Sequence, residues 1–305
     1  MNHPMKAIVT GGTGFLGGAL VAKILASEGT VAMVVRRGSH VPSTLRTHPR
    51  VTIVEGDLDD VPSWSVPLEG FCADVFFHLA WKGVGNSFRN DPVQISNISF
   101  TLDTIRLASN LGCRRWVATG SQAEYGPLNR RISESDLLEP TTLYGASKAA
   151  TSVLVGPLGR QLEIETVWTR VFSTYGPGDR AGWMLVDIVR QLFERSRPAL
   201  TPGEQLWDYL YVDDAVEGLI ALGATANLSG IFNLGSGRSQ TIRSIVEMAR
   251  DLVDPQLSLG FGEVAYRPDQ VMHLEADISK LTSFTGWKPS ISMEVGLLRL
   301  IESLR

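Results

Sequence analysis

Three polar side chains in the middle of the sequence have the types and spacing needed to move a proton. Tyr144 and Lys148 are four residues apart in a helical pattern, so the phenol and the ammonium should share one face of a helix. A nearby ammonium stabilises a phenolate and lowers the pKa of the phenol. We therefore predict that Tyr144 exchanges a proton with a substrate oxygen. Ser121 ends a predicted strand and is expected to hydrogen-bond the same oxygen.

A glycine cluster near the start of the chain predicts a dinucleotide site. The cluster follows an apolar run and opens a helical pattern, which is the context that a G-x-G-x-x-G motif requires. Glycine permits a tight turn and lets backbone N–H groups approach a pyrophosphate, while the helix N-terminus faces the anion. The alternative is a glycine-rich turn without a ligand. The predicted cofactor-binding residues are Gly11, Gly12, Thr13, Gly14, Phe15, Leu16 and Gly17.

The ends of the next two predicted strands bear on the choice of cofactor. An acidic residue after the second strand would accept the ribose 2′-hydroxyl of NAD, whereas arginine accommodates the 2′-phosphate of NADP. The sequence has Arg36 and Arg37 there, and guanidinium groups bind phosphate well. We therefore expect NADP(H) rather than NAD(H), with two solvated surface arginines as the alternative. Asp57, after the third strand, either accepts from the adenine amino group or caps a turn.

Strand-like runs alternate with helical periodicity through the first half of the chain. This alternation indicates βαβ units with right-handed crossovers. The predicted fold class is therefore α/β, a doubly wound parallel sheet of the Rossmann type. The predicted strands cover residues 7–10, 31–35, 51–54, 75–79, 116–119 and 165–171, and the predicted helices cover 15–27, 93–110 and 143–162.

The pattern loosens after residue 171, where turn-forming residues become frequent. Short strands at 210–212 and 231–234 flank a helical segment at 213–222. We predict a dinucleotide-binding domain at residues 1–171, to which residues 205–234 return. Residues 172–204 and 235–305 are predicted to form a smaller, discontinuous C-terminal lobe for the substrate.

Composition excludes several other classes of protein. The 305 residues are enough for about two domains, and 28 Lys+Arg against 32 Asp+Glu give a net charge of −4, which argues against nucleic acid as a partner. No apolar run reaches the ~18 residues of a membrane span. The two cysteines, Cys72 and Cys113, are too far apart for a zinc site. We expect a soluble, cytoplasmic protein without a metal.

Taken together, these motifs resemble the extended short-chain dehydrogenase/reductases that act on nucleotide sugars. The resemblance covers essentially the whole chain and implies a nucleotide-diphosphate sugar as the substrate. It also implies a homodimer formed by the helices at 93–110 and 143–162. Beyond the glycine motif and the Ser121, Tyr144 and Lys148 set, the matching segments are His78-Leu79-Ala80, Asn97, Arg170 to Gly178, Tyr211 to Asp214, Phe232 to Gly235 and Gly286 to Pro289.

The resemblance also implies a role for each site residue. Tyr144 is expected to be the general acid/base, Lys148 its partner and a ribose ligand, Ser121 a ligand of the reacting oxygen, and Asn97 a support near the lysine. The further cofactor contacts that we expect are Leu58, Leu79, Ala80, Tyr144, Lys148 and Val171. The expected substrate contacts are Ser121, Gln122, Ser173, Trp207 and Arg267.

Two departures from the family pattern concern the substrate. Related 4,6-dehydratases carry an Asp-Glu pair where this sequence has Gln122 and Ala123, and Glu124 comes one residue too late, so dehydration is disfavoured. Ser173 stands where many relatives have asparagine, and Trp207 replaces a common arginine, which removes one expected diphosphate clamp. Arg267 resembles the other clamp. Trp207 is expected either to pack on a sugar face or nucleobase or to fill the core between the lobes.

Three functions fit this set of residues. The favoured one is NADPH-dependent reduction of the C4 ketone of an NDP-4-keto-6-deoxyhexose, because a redox-neutral epimerase gains nothing from the NADPH pool that Arg36 and Arg37 would select. The amino-acid sequences of segments 120–126 and 205–210 also resemble those of 4-ketosugar reductases. The alternative is an NDP-sugar 4-epimerase with retained NAD. A non-catalytic NADP-binding regulatory protein is disfavoured because Tyr144 and Lys148 are both present.

Overall fold

The computed structural model describes residues 3–305 and contains 14 strands and ten helices in that range. The strands are β1 (Lys6–Thr10), β2 (Thr30–Val35), β3 (Val51–Glu55), β4 (Val75–His78), β5 (Arg115–Ser121), β6 (Arg130–Ile132), β7 (Glu165–Val171), β8 (Ser173–Tyr175), β9 (Ala199–Leu200), β10 (Leu206–Tyr211), β11 (Gly230–Leu234), β12 (Ser239–Thr241), β13 (Gly260–Phe261) and β14 (His273–Ala276). The helices are α1 (Phe15–Ala26), α2 (Ser43–Arg46), α3 (Val61–Ser65), α4 (Val93–Asn110), α5 (Leu143–Gln161), α6 (Met184–Phe193), α7 (Val212–Ala224), α8 (Ile242–Val253), α9 (Ser279–Thr285) and α10 (Met293–Leu304).

Seven strands form the main sheet, in the order β11-β7-β5-β4-β1-β2-β3, and all of its pairs are parallel. The predicted doubly wound fold is confirmed. The strand order changes direction between β1 and β4, and ligands bind at the carboxyl ends of the strands on either side of such a point. The site residues predicted after β1, β4 and β5 therefore lie along one edge of the sheet.

Apolar layers cover both faces of this sheet, as parallel strands require. Side chains of α1 and α7 pack on one face, and side chains of α3, α4 and α5 pack on the other. Phe76, Phe77 and Trp168 are buried within these layers. Among residues 3–305, no helix is long and apolar enough to cross a membrane.

A second, mixed sheet lies in the C-terminal lobe, and its membership differs from the sequence-based boundaries. Strand β10 pairs with β8, β12 and β14 rather than with the main sheet, although its Leu210 packs with α7 and β11 in the core that covers the main sheet. Conversely, β6 of the first 171 residues pairs with β14. The sequence could not reveal this, because a short apolar strand has the same pattern whichever sheet it joins.

Candidate active site

The glycine loop between β1 and α1 packs closely against itself and against the segment that follows β4. Gly11 has a φ of 75°, which favours glycine. A Cβ atom on Gly11 would lie 2.8 Å from the backbone nitrogen of Ala80, and one on Gly17 would collide with the carbonyl oxygen of Gly11. Helix α1 has no side-chain cap and no acidic residue in its first turn. Its first N–H groups are therefore available to an anion, as dinucleotide binding requires.

The remaining predicted cofactor residues follow neighbouring strands of the main sheet. Arg36 and Arg37 follow β2, are exposed, and form no ion pair within residues 3–305. Asp57 follows β3 and accepts hydrogen bonds from the Leu58 N–H and from the Lys82 ammonium, each at 2.7 Å. The bond from Lys82 lowers the pKa of Asp57. The other predicted contacts lie after β1, β3 and β4 or at the end of β7; they are Thr13, Phe15, Leu16, Leu58, Leu79, Ala80 and Val171.

Ser121 and Tyr144 meet where β5 and α5 come together. Thr142 caps α5 by accepting a hydrogen bond from the Gly145 N–H at 3.1 Å. A Cβ atom at Gly145 would strike the carbonyl oxygen of Ala123, so the start of α5 lies directly against the turn that follows β5. The Ser121 hydroxyl faces the Tyr144 phenol and favours its ionised form, which lowers the pKa of Tyr144. The structure therefore brings together the two oxygens that the sequence pairs.

The expected lowering of the Tyr144 pKa by Lys148 stays a prediction. Burial raises the pKa of Tyr144, and the groups that oppose the rise are Ser121 and the charge of Arg89. Lys148 donates to the Thr119 carbonyl oxygen at 2.6 Å, and its nitrogen lies 3.6 Å from the centroid of the Trp81 ring. Burial lowers the pKa of Lys148 to about 7. The four-residue spacing places Tyr144 and Lys148 on the same face of α5. The contacts with Thr119 and Trp81 decide where the Lys148 ammonium lies.

Asn97 holds the segment that follows β4. Its Oδ1 accepts from the Lys82 N–H at 2.8 Å, and its Nδ2 donates to the Lys82 and Val93 carbonyl oxygens. Residue 82 follows Trp81, whose ring the Lys148 nitrogen contacts, and the role of Asn97 as a support near Lys148 stays a prediction. This buried amide holds residue 82, whose side chain reaches the carboxylate of Asp57.

Glu124 is held in the core and does not enter the cleft. Its Oε1 accepts from the Ser121 N–H and from the Trp168 indole, both at 2.9 Å, and its Oε2 accepts from Arg170 Nε at 2.7 Å. The carboxylate therefore fixes the backbone of Ser121.

His78, at the end of β4, is bonded to Thr10 Oγ1 at 2.8 Å. Burial lowers the pKa of His78 to about 3, which keeps the imidazole neutral.

On the substrate side, the two departures from the family pattern contact each other. Trp207 Nε1 donates to Ser173 Oγ at 2.7 Å, and the two residues lie on the adjacent strands β10 and β8. Gln122 is half-buried in the turn after Ser121. Arg267 is exposed on the loop that follows β13. Across residues 3–305 no group of His, Cys, Asp or Glu side chains is placed to hold a metal ion.

Sequence reasoning missed two residues that contact the predicted catalytic residues. Trp81 lies edge-on to the Tyr144 ring, with centroids 6.2 Å apart, and its face is covered by the nitrogen of Lys148. Its place directly after the matched segment at the end of β4 was an available signal. The guanidinium carbon of Arg89 lies 5.1 Å from the centroid of the Tyr144 ring. Arg89 is in an irregular loop far from Tyr144 in sequence, and no pattern links the two.

The fold and this site define an α/β protein with a glycine loop shaped for a dinucleotide and a serine, tyrosine and lysine set at the ends of its central strands. The sequence matches the NAD dependent epimerase/dehydratase family over residues 7–235. The chain belongs to this family, which confirms the recognition made from its motifs.

Individual relatives are distant but cover almost the entire chain. The chain is 28% identical to UDP-glucuronic acid decarboxylase 6 of Arabidopsis thaliana, over 99% of this chain and 89% of that protein. The structure of UDP-N-acetylglucosamine 4-epimerase from Methanobrevibacter ruminantium M1, in complex with UDP-N-acetylmuramic acid, matches with a TM-score of 0.88 at 24% identity, over 98% of this chain and 97% of that one. UDP-glucuronic acid 4-epimerase from Bacillus cereus, in complex with UDP-glucuronic acid and NAD, matches with a TM-score of 0.83 at 23% identity, over 98% and 99%.

Proposed function

We propose that this protein is a redox-neutral 4-epimerase of nucleotide-diphosphate sugars, with UDP-sugars as the first class of substrate to test. A retained nicotinamide dinucleotide would take a hydride from C4 and return it to the opposite face of the sugar. The UDP-sugar class is suggested by the names of the relatives, which include a UDP-glucuronic acid decarboxylase and two UDP-sugar 4-epimerases.

The observation that carries the proposal is that Glu124 is locked in a buried ion pair with Arg170, so Tyr144 and Ser121 form the proton-transfer pair at the end of β5. Elimination of water needs a second acid or base near the sugar, and the positions before Glu124 hold Gln122 and Ala123. The site is therefore suited to proton and hydride movement at a single carbon.

In this function the hydroxyl groups of Ser121 and Tyr144 have different roles. Ser121, held by Glu124 through its backbone, would hydrogen-bond the C4 oxygen and fix its position. Tyr144 would remove the C4 hydroxyl proton as the ketone forms and return it when the alcohol is restored. Preorganised donors contribute most where charge develops in the transition state. Lys148 and the glycine loop would hold the dinucleotide.

The substrate side of the site favours epimerisation over net reduction. In an epimerase, the 4-keto sugar must rotate between the two hydride transfers so that it presents its opposite face. The sugar therefore cannot be held tightly by fixed polar groups. Ser173 and Trp207 satisfy each other with a 2.7 Å hydrogen bond. An indole whose N–H is occupied offers mainly its apolar ring, against which either face of a sugar can pack.

The second candidate remains the NADPH-dependent 4-ketoreductase favoured by the sequence, and Arg36 and Arg37 are the residues that support it. They follow β2 with no carboxylate beside them in the segment Val35 to Gly38. The expected preference for NADP(H) gains no support from the Bacillus cereus neighbour, which holds NAD. The NADP(H) preference stays a prediction. The cofactor that the protein uses and the reaction that it catalyses together decide between the two candidates.

One experiment separates the candidates. The purified protein is incubated without added cofactor with UDP-glucose, UDP-N-acetylglucosamine and UDP-glucuronic acid, and in parallel with NADPH and a panel of CDP-, dTDP-, GDP- and UDP-4-keto-6-deoxyhexoses. Proton NMR of the sugar region should show the 4-epimer of at least one UDP-sugar, with no change in absorbance at 340 nm. Stoichiometric loss of NADPH without any epimer would instead establish the reductase, and release of carbon dioxide from UDP-glucuronic acid would indicate decarboxylation.

Tyr144→Phe tests the assigned acid/base. We expect this variant to lose turnover by about 10²–10⁴-fold, the usual contribution of a positioned proton-transfer group, while it still binds the dinucleotide. Ser121→Ala should lower turnover as well, with cofactor affinity unchanged. Near-normal turnover of Tyr144→Phe would overturn the assignment.

We also propose a homodimer formed through α4 and α5. Large apolar side chains are exposed on these two neighbouring helices, and in a monomer they would face water. They are Ile95, Leu143, Val153 and Leu154. The cytoplasmic location expected from the sequence stays a prediction.

A further inference from the structure

Residues 121–125, which we call the β5 turn, are attached to the main sheet through one side chain. Glu124 accepts hydrogen bonds from the Ser121 N–H and the Trp168 indole, and it forms an ion pair with Arg170. Trp168 and Arg170 belong to β7, which pairs with β5. Glu124 therefore ties the β5 turn to the neighbouring strand of the main sheet.

The next side chain, Tyr125, ties the same turn to another part of the molecule. Its hydroxyl donates to Asn233 Oδ1 at 2.7 Å, and both residues are fully buried. Burial raises the pKa of Tyr125 to about 12. The phenol therefore stays protonated at neutral pH and remains a hydrogen-bond donor.

Asn233 continues this connection to the second sheet. Its Nδ2 donates to the Ile132 carbonyl oxygen at 2.9 Å and to the Asp277 carbonyl oxygen at 3.5 Å. Ile132 ends β6, Asp277 directly follows β14, and these two strands pair with each other. Strand β14 also pairs with β10, which carries Trp207. One buried amide thus joins the β5 turn to the sheet that carries an expected substrate contact.

The β5 turn also adjoins the residue assigned as the acid/base. A Cβ atom at Gly145 would strike the Ala123 carbonyl oxygen, so the turn lies directly against the start of α5. Within the turn, the Ala123 N–H donates to Ser121 Oγ at 3.2 Å. A shift of the turn would therefore change the position of the Ser121 hydroxyl relative to Tyr144.

We propose that Tyr125 and Asn233 are positioning residues whose hydrogen bond sets where the β5 turn holds Ser121 relative to Tyr144. This inference rests on the proposed roles of Ser121 and Tyr144. The second sheet would thereby help to align the proton-transfer pair, although neither positioning residue touches the substrate. Misplacement of a reacting group by 1 Å can cost about 10²-fold in rate, so a bond of this kind matters for turnover.

Tyr125→Phe tests the proposal because it keeps the ring and removes only the hydroxyl. Asn233 Oδ1 is then buried without its donor, which favours a rearrangement of the turn. With a UDP-sugar that the parent protein epimerises, kcat should fall by at least about tenfold. The KM for this sugar and the affinity for the dinucleotide should stay close to those of the parent. An unchanged kcat, or a rise in KM alone, would overturn the inference.

Tyr175→Phe is the matched control for the loss of a buried hydroxyl. Tyr175 is 2% exposed, and its hydroxyl donates to the Met293 carbonyl oxygen at 3.3 Å, away from the β5 turn. This variant should lose stability as Tyr125→Phe does but keep the kcat of the parent. Equal losses of kcat in the two variants would mean that any buried cavity slows the enzyme, and they would overturn the inference.

A double-mutant cycle tests whether the two residues act through their shared bond. Asn233→Ala should lower kcat as well. Adding Tyr125→Phe to it should cause little further loss, because the bond is already absent and residues in one hydrogen-bond network are not additive. Losses that multiply fully in the double variant would contradict a shared role.

Amide hydrogen exchange, followed by NMR without substrate, tests the positioning independently of the reaction. The Ser121 N–H donates to Glu124 Oε1 at 2.9 Å, and the Tyr125 N–H donates to the Gln122 carbonyl oxygen at 3.0 Å. Both should exchange at least about tenfold faster in Tyr125→Phe and at the parent rate in Tyr175→Phe. Unchanged exchange in Tyr125→Phe would overturn the inference. If exchange becomes faster but the parent epimerises no UDP-sugar, the bond still fixes the turn and only the proposed reaction fails.

Discussion

The side-chain nitrogen of Lys148 lies 3.6 Å from the centroid of the Trp81 ring and 2.6 Å from the Thr119 carbonyl oxygen. The aromatic face attracts a cation, and the carbonyl accepts one of its protons. The same indole donates to Gln94 Oε1 at 2.7 Å, which fixes its orientation. Lys148 is thus buried and held by these two contacts, next to the edge of the sheet where the dinucleotide would lie.

Burial of Lys148 should make stability depend on pH. The pKa of this lysine falls from 10.5 to about 7 in the folded protein, so between those values the unfolded chain binds more protons. Stability from this group therefore increases as pH rises. Lys148→Met removes the cost of the buried charge, so its Tm should exceed that of the parent by more at pH 6.5 than at pH 9.5. The measurement is calorimetry on protein freed of cofactor; a gap that widens with pH would contradict the assignment.

Loss of the buried carboxylate of Glu124 should be strongly destabilising. Glu124→Gln leaves the guanidinium of Arg170 in the core without its counter-charge, and breaking such a pair costs about 3–5 kcal/mol. Asp103→Asn is the matched control, because it breaks the exposed pair with Arg106, for which we expect about 1 kcal/mol or less. Urea denaturation measures both. Equal losses in the two variants would show that the buried pair contributes no more than a surface pair.

The glycine loop offers a sharp comparison between adjacent positions. Gly17→Ala places a methyl group against the Gly11 carbonyl oxygen, whereas Gly18→Ala places one 3.6 Å from the Gly12 carbonyl oxygen, an ordinary contact. We expect Gly17→Ala to weaken dinucleotide binding by at least about tenfold, because the loop must shift away from the pyrophosphate position. Gly18→Ala should bind normally. Calorimetric titration with NAD and NADP measures the effect. Equal affinities of the two variants would show that the loop does not bind the dinucleotide.

Arg36 and Arg37 decide the cofactor preference if they meet a 2′-phosphate. Replacing both with serine should weaken NADP(H) binding by about tenfold or more and leave NAD(H) binding unchanged, because only the former carries the extra charge. Arg46→Ser, at an exposed position of α2, serves as the control for a lost surface cation. Comparable affinity of the parent protein for NAD(H) and NADP(H) would end the predicted NADP preference.

The proposed dimer depends on apolar contact between helices. Val153 is 63% exposed on α5, and Val295 is 41% exposed on α10. Val153→Asp should convert a dimer into a monomer, because a carboxylate in an apolar interface loses its hydration without gaining a partner. Val295→Asp should leave the assembly unchanged. Light scattering after size-exclusion chromatography distinguishes these outcomes, and a monomeric parent protein would exclude the dimer.

Local patterns in the sequence predicted the elements of the main sheet and the residues of the candidate site. Alternating strands and helices predicted the sheet, the glycine spacing predicted the turn before α1, and the four-residue spacing put Tyr144 and Lys148 on one helix. Each of these properties is local, because helix and strand periodicity and glycine geometry act over a few residues. The position of Ser121 also followed, since the carboxyl ends of parallel strands share one edge.

Which side chains meet across that edge depends on how the elements pack. The tertiary structure placed Arg89 over the ring of Tyr144, joined Ser173 to Trp207, and turned Glu124 into the core toward Arg170. These partners come from separate elements, and no periodicity relates them. Their contacts follow from how the loop after β4 meets α5 and how β8 pairs with β10, which depend on packing and on long-range hydrogen bonds that no local pattern encodes.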